Sequence, residues 1–365
     1  MKFVQAHALI KGCAVVVLTM LFLAGATSPA AAFSFGKKKP APVVVSTPPP
    51  EPEIPVGPPV LASYVIDTAS AYATYMRSAT GIASKFIDGP SVLSALKLGA
   101  RSEQHQMQQG VVAYAAIIAL QDPNFTAGVR AFANHASTRD AMIRYILANP
   151  NYVEKIDGHE SAAGLIIATL NTQGAQLQAA GDAVSKESLY IQLKAAWSKK
   201  PAPDQPGTLQ AVKDMSRMTI AADSDTRNLL AMASTGAQPM TLTPGAAPAP
   251  YSQAVARGMA IAALAILGQA GDDHLDYVRA LLVNDGDGYC FNMSKLNLYQ
   301  CLSVARPYYE DMYCLGLHAM GDTGRCVISS IGAPTPVASL GGPMLATAQP
   351  VPGSGSSLGT PPLSH

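Results

Sequence analysis

The chain is poor in charged residues. Aspartate, glutamate, lysine and arginine make up only 13% of its 365 residues, and the formal net charge is +1. Proteins that bind nucleic acids carry a surplus of lysine and arginine that neutralises phosphate groups. This chain lacks such a surplus, so we predict that it has no nucleic-acid partner. With 48% hydrophobic residues it is also unlike an acidic, disordered chain.

Complete catalytic motifs are also lacking. There is no Walker loop, and neither G-x-S-x-G nor G-x-G-x-x-G precedes a predicted helix. His159 and Glu160 begin an H-E-x-x-H pattern, but residue 163 is alanine, so the second zinc ligand is missing. Ser94 and Lys97 match the S-x-x-K of penicillin-recognising enzymes without its S-D-N and K-T-G companions. We therefore predict no cofactor and assign no catalytic residue.

Strand signals are scarce, whereas helical periodicity is frequent. One apolar series has spacings of three and four, which is typical of an amphipathic helix: Val65, Ala69, Tyr72, Met76, Ala79 and Ala83. A second series alternates the same spacings without a break: Leu170, Gly174, Leu177, Gly181, Val184, Ser188 and Ile191. The two glycines of the second series permit close approach of another helix. The predicted fold class is all-α, a bundle of helical hairpins.

Two runs are apolar on all sides, "VVAYAAIIAL" at 111–120 and "GMAIAALAIL" at 258–267. Ten residues are too few to cross a bilayer, so we predict two buried central helices. Each run is followed by an acid-containing turn and a second helical stretch. This likeness suggests a duplicated helical hairpin and two similar halves, although alanine-rich helices also resemble one another by chance.

The N-terminal 32 residues have the features of a secretory signal peptide. Lys2 and Lys11 precede a short apolar run, and Ala30 and Ala32 supply the small residues of a cleavage site after Ala32. An uncleaved single-pass anchor is the alternative. Cleavage removes two lysines and no acid, which changes the formal net charge from +1 to −1. We expect a periplasmic or secreted protein with no transmembrane span after cleavage.

The remaining chain divides by composition. Residues 33–60 are rich in proline and are predicted to form a stiff, extended tether. Residues 61–233 form a helical domain, 234–253 a linker or long loop, and 254–332 a second helical region that contains four cysteines. Residues 333–365 are rich in proline, glycine and serine, which predicts a disordered tail.

Those four cysteines, Cys290, Cys301, Cys314 and Cys326, are separated by ten, twelve and eleven residues. An even number in an exported chain indicates disulfides. Two predicted helices that turn near Arg306 would place Cys290 beside Cys326 and Cys301 beside Cys314, and we prefer this nested pairing. A bond between Cys314 and Cys326 is also within reach if the intervening loop folds back.

The same region offers a weaker metal hypothesis and an aromatic cluster. Asp311, Cys314 and His318 have the spacing of one helical face, so they are an alternative metal site. Four tyrosines form a possible binding surface: Tyr299, Tyr308, Tyr309 and Tyr313. Alternatively, these rings pack around the disulfides.

Function is inferred mainly by elimination. The tether, the missing catalytic motifs and the aromatic region favour an exported envelope protein with a structural or protein-binding role. Its partner would be an envelope protein or a cell-wall polymer. The alternative is an enzyme that acts on an envelope polymer through acidic residues such as Glu160 and Glu310, which requires two carboxylates in one cleft.

Overall fold

The computed structural model describes residues 51–53, 57–283 and 288–332, which belong to one compact unit that begins at Glu51. The first helices are α1 Ser63–Thr80, α2 Gly89–Gly99, α3 Gln104–Leu120, α4 Pro123–Phe132, α5 Ala136–Ala148 and α6 His159–Lys194. The others are α7 Gln205–Met215, α8 Ser224–Ser234, α9 Gln253–Ile266, α10 Leu275–Leu282, α11 Gly288–Val304, α12 Tyr308–Cys314 and α13 Thr323–Ser330. Short 3-10 helices cover Pro150–Lys155 and Asp272–His274, and a π-helix covers Leu315–Asp322.

These residues confirm the all-α class, because the described part of the chain contains isolated β-bridges but no strand. None of its helices is long and apolar enough to cross a membrane. The signal peptide, the tail at 333–365 and most of the tether lie outside the described residues. The hairpin arrangement, the duplication and the domain borders stay predictions.

Helices α3 and α9 form the centre of the core and pack against each other. Residues 111–120 and 258–267 are buried, as their uniformly apolar composition predicts. Gly258 lies so close to Ala115 that a Cβ atom at position 258 would be 2.6 Å from the Ala115 methyl carbon. Small side chains therefore let the two central helices approach closely.

Helix α1 covers the other side of α3 with the predicted apolar face. Val65, Ala69, Tyr72 and Ala79 are fully buried. Ala83 is the exception: the helix ends at Thr80, and Ala83 is exposed in the loop beyond it.

The long helix α6 is the longest element, 36 residues or about 54 Å. All seven residues of its predicted seam are buried. The two glycines contact the C-terminal elements closely: a Cβ atom at Gly174 would lie 2.8 Å from the oxygen of Gly324, and one at Gly181 would lie 2.4 Å from the oxygen of Gly316. The seam is thus the surface on which the π-helix and α13 pack.

Two segments without helices lie against the body. Residues 235–252 contain no helix, and Ala246 packs on Gly164 of α6. The described end of the proline-rich segment is bonded to the body as well. The Glu51 carboxylate accepts hydrogen bonds from the backbone N and the Oγ of Ser137, and the Val60 N donates to the Ala265 oxygen.

Candidate functional site

Two disulfides connect the C-terminal helices, and their pairing is the nested one that the sequence favours. Cys290 on α11 bonds to Cys326 on α13, and Cys301 on α11 bonds to Cys314 on α12, with Cα–Cα distances of 5.5 and 5.7 Å. We call residues 288–330, which these bonds join, the stapled end. Both disulfides fit an oxidising compartment outside the cytoplasm.

The alternative metal site at Asp311, Cys314 and His318 is not formed. Cys314 is bonded to Cys301, so it has no thiolate to offer. His318 Nδ1 is 2.8 Å from an oxygen of Asp322, and burial together with Arg325 lowers the pKa of His318 to about 4. No group of three histidine, cysteine or acidic side chains in the described ranges is placed to hold a metal ion.

The four tyrosines of the predicted binding surface are half-buried and have different neighbours. The Tyr299 hydroxyl is hydrogen-bonded to the Ser216 hydroxyl at the end of α7. The Tyr308 ring lies 6.3 Å from the Trp197 ring. The Tyr309 hydroxyl is within 3.5 Å of a Glu310 oxygen. Of the four, Tyr308 lines a cavity.

That cavity, of about 370 Å³, lies between α2, α7 and α12. This volume is at the small end of the range for ligand pockets, about 300–1,000 Å³. Its polar lining comes from Lys97 on α2, Thr208 on α7, Tyr308 and Asp311 on α12, and Asp204 at the start of α7. We refer to it as the α2–α7–α12 cavity and regard it as the candidate functional site.

Asp311 is the most unusual group of the cavity, because it is an acid that is only 2% exposed. Burial raises its pKa to about 6, and the nearby Glu310 also raises it, while a hydrogen bond from Gln205 acts in the opposite direction. Gln205 Nε2 donates to Asp311 Oδ1 at 2.7 Å and also to the Leu302 oxygen at 3.0 Å. This amide fixes the carboxyl group in the cavity wall.

The α2 wall depends on a glycine. Asp88 caps α2 by accepting a hydrogen bond from the Ser91 N at 2.9 Å, and Gly89 is the first residue of the helix. A Cβ atom at Gly89 would lie 2.1 Å from the Tyr308 ring. A side chain at position 89 would therefore push Tyr308 away from α2 and change the shape of the cavity.

One of the two S-x-x-K residues lines the cavity. Lys97 contributes a cationic group to it, whereas Ser94 is exposed and its Oγ donates to the Pro90 oxygen at 3.0 Å. Ser94 lies one helical turn before Lys97 on α2 and is not among the residues that line the cavity.

Glu160 and Glu310 are not brought together. Glu160 is exposed in the first turn of α6. Glu310 is near the opposite end of that helix, because the Tyr309 N donates to the oxygen of Ser198, just beyond α6. Glu160 and Glu310 are therefore separated by roughly the length of α6, about 50 Å. Glycosidase carboxyl pairs are about 5–10 Å apart, so these two acids do not form such a pair.

Replacement of Asp311 by asparagine is expected to stabilise the protein at neutral pH. The folded-state pKa of about 6 exceeds the ordinary 3.8, so the folded state binds more protons between these values and loses stability as the pH rises through this window. The shift corresponds to about 2–3 kcal/mol. In urea unfolding, the free energy of unfolding of Asp311→Asn should exceed that of the wild type by about 2 kcal/mol at pH 7.5. At pH 3.5 the difference should be much smaller.

The exposed Asp140→Asn provides the control for this comparison, because Asp140 lies on the surface of α5. It should leave the pH dependence of unfolding unchanged. Equal stability of Asp311→Asn and the wild type at both pH values would contradict a buried, destabilised carboxylate.

Comparisons with known proteins add no family to this description. Neither a protein-family model nor a curated protein nor a solved structure matches the chain. Any functional inference must therefore come from the site itself.

Proposed function

We propose that this protein is exported after cleavage behind Ala32 and that it binds an envelope protein or a cell-wall polymer in the α2–α7–α12 cavity, one wall of which belongs to the stapled end. The observation that carries the proposal is the cavity itself, where a buried acid, a lysine and two hydroxyl groups converge on a space of about 370 Å³. The two disulfides support a location outside the cytoplasm.

The chemistry of the cavity favours a polar group that carries a short apolar part. Pro90, Leu93, Ala202 and Ala211 provide apolar walls around the charged and hydroxyl groups. A polymer or a protein would insert a side group or a chain end here, while the rest of it lies on the surrounding helices. Convergent polar groups in an apolar pocket are typical of ligand recognition.

Filling the cavity should abolish binding. Ala211→Phe on α7 places a ring in the cavity, whereas the exposed Gln210→Phe changes the outer face of the same helix. The purified chain is immobilised and incubated with an envelope extract of the source organism, and retained material is quantified by mass spectrometry. We expect Ala211→Phe to retain at least about tenfold less partner than the wild type, which corresponds to a loss of about 1.4 kcal/mol in binding free energy. Gln210→Phe should retain the partner.

Equal retention by Ala211→Phe and Gln210→Phe would move the binding surface away from the cavity. Circular dichroism of both variants shows whether each is folded before the comparison is made. If Ala211→Phe does not fold, Thr208→Met narrows the same space with a smaller and flexible side chain, and the same loss is expected.

An enzyme that acts on an envelope polymer is the second candidate. The observation that favours it is Asp311, a carboxyl group whose pKa is raised to about 6 within a cavity, as for a general acid. Glu160 and Glu310 have no place in this version. In the retention experiment, release of soluble polymer fragments by the wild type and not by Asp311→Asn would select the enzyme.

A further inference from the structure

Two opposite charges share the α2–α7–α12 cavity without pairing. Asp311 and Lys97 both line it, yet neither forms an ion pair within 4.0 Å with any residue that the structure describes. Asp311 is almost completely buried, and Lys97 is half-buried. A buried charge without a counter-charge is costly, so a ligand that supplies both missing charges would be stabilised in this space.

Two hydroxyl groups that line the cavity also lack partners. Those of Thr208 and Tyr308 make no hydrogen bond to another described residue. A hydroxyl group can both donate a hydrogen bond and accept one, so these two groups are available to a polar ligand in the cavity.

We propose that the cavity binds a short zwitterionic peptide, with its ammonium group beside Asp311 and its carboxylate beside Lys97. The assignment rests on the proposed function, because it names the chemical class that the same cavity takes. The apolar walls formed by Leu93 and Ala211 would cover small side chains between the two charged ends. A dipeptide, about 7 Å long when extended, spans two charges that are too far apart to pair directly.

The charges around Asp311 set the pH dependence of this binding. Lys97 on α2 and Asp204 at the start of α7 line the cavity with Asp311, and Glu310 is its neighbour on α12. The elements that enclose the cavity also carry Asp88, the cap of α2, and Lys213 and Asp214 in the last turn of α7. An ammonium group favours the ionised form of Asp311, so the peptide should bind more weakly as Asp311 becomes protonated below pH 6. Asp204 is exposed and accepts a hydrogen bond from the Gly207 N as the cap of α7.

Isothermal titration calorimetry with three matched probes tests the assignment on the folded, oxidised chain. The probes are Ala-Ala, its N-acetyl derivative and its C-terminal amide. We expect Ala-Ala to bind at least tenfold more tightly than either blocked peptide at pH 7.5. At pH 5 it should bind at least threefold more weakly than at pH 7.5. Blocked peptides that bind as tightly as Ala-Ala, or no measurable binding of Ala-Ala, would overturn the proposal.

Two variants assign each end of the peptide to a residue. Asp311→Asn should remove the preference for a free amino group, and Lys97→Met should remove the preference for a free carboxylate. Lys85→Met, in the exposed loop before α2, is the matched control and should bind all three probes as the wild type does. Preferences that survive in both cavity variants would overturn the assignment.

The two proposals fail in distinguishable ways. If Ala211→Phe loses its envelope partner while Ala-Ala does not bind, the cavity remains the binding site and only the peptide class is wrong. If Ala211→Phe retains the partner, the cavity itself is wrong as the partner site, whatever the calorimetry shows.

Discussion

Gly181→Val is expected to lower the free energy of unfolding by about 3 kcal/mol or more, the upper end for overpacking of a tight core. A Cβ atom at Gly181 would lie 2.4 Å from the Gly316 oxygen and 2.9 Å from the Gly321 N. Both atoms belong to backbone, which cannot rotate away as a side chain can. The π-helix would have to move off α6, and with it the packing that holds the stapled end.

Urea unfolding at neutral pH measures this effect, with Ala179→Val as the control. Ala179 is exposed on the same helix, so valine there brings only its lower helix propensity, below about 0.7 kcal/mol. If Gly181→Val does not fold at all, Gly181→Ala introduces the same Cβ conflict with a single methyl group. A loss for Gly181→Val no larger than that for Ala179→Val would contradict the close helix contact.

Removal of the disulfides is expected to have the second large effect. Cys290–Cys326 joins residues 36 apart and Cys301–Cys314 joins residues 13 apart. The loop-entropy relation gives about 4 and about 3 kcal/mol for loops of these lengths. Replacing each pair by alanine should therefore destabilise the chain, the longer loop by slightly more.

The two pairs should differ in their effect on the cavity. Cys314 ends α12, which carries Tyr308 and Asp311, so loss of the bond to Cys301 should also weaken retention of the envelope partner. Loss of Cys290–Cys326, which lies at the other end of α11, should affect stability more than binding. Thermal unfolding and the retention experiment measure the two effects, and unchanged stability after removal of both pairs would contradict the account.

The core could be predicted from the sequence because its signals are local. Residues 111–120 and 258–267 are apolar on every side, so burial is their only stable environment in water. The seam from Leu170 to Ile191 has a spacing that repeats without interruption, and all of its members are buried. The preferred disulfide pairing followed from two predicted helices that turn near Arg306, and it is the pairing observed.

The cavity could not be predicted because its walls are distant in sequence. Gly89 and Tyr308 are in contact, yet they are separated by more than 200 residues, and no pattern in either segment names the other. Lys97 carried a signal only as part of S-x-x-K, a pattern whose serine is exposed and does not line the cavity. Gln205, which holds Asp311, had no signal at all.

The π-helix could not be predicted from the sequence for a different reason. The residues from Leu315 to Met320 have the composition of an ordinary helix, and the sequence predicts a loop after them, whereas the π-helix covers Leu315–Asp322. The wider turn places Gly316 and Gly321 against Gly181, so it is the contact with α6 that favours this geometry. Such π-helical turns depend on tertiary packing and are common near functional sites.

The titration of the Asp311 carboxyl group, followed by ¹³C NMR with and without Ala-Ala, tests most directly that the α2–α7–α12 cavity is a binding site. Asp311→Asn identifies the resonance. The account predicts a pKa near 6 in the free protein, and a clear decrease when the ammonium group of the peptide lies beside the carboxylate. An ordinary pKa near 3.8 that Ala-Ala does not change would contradict it.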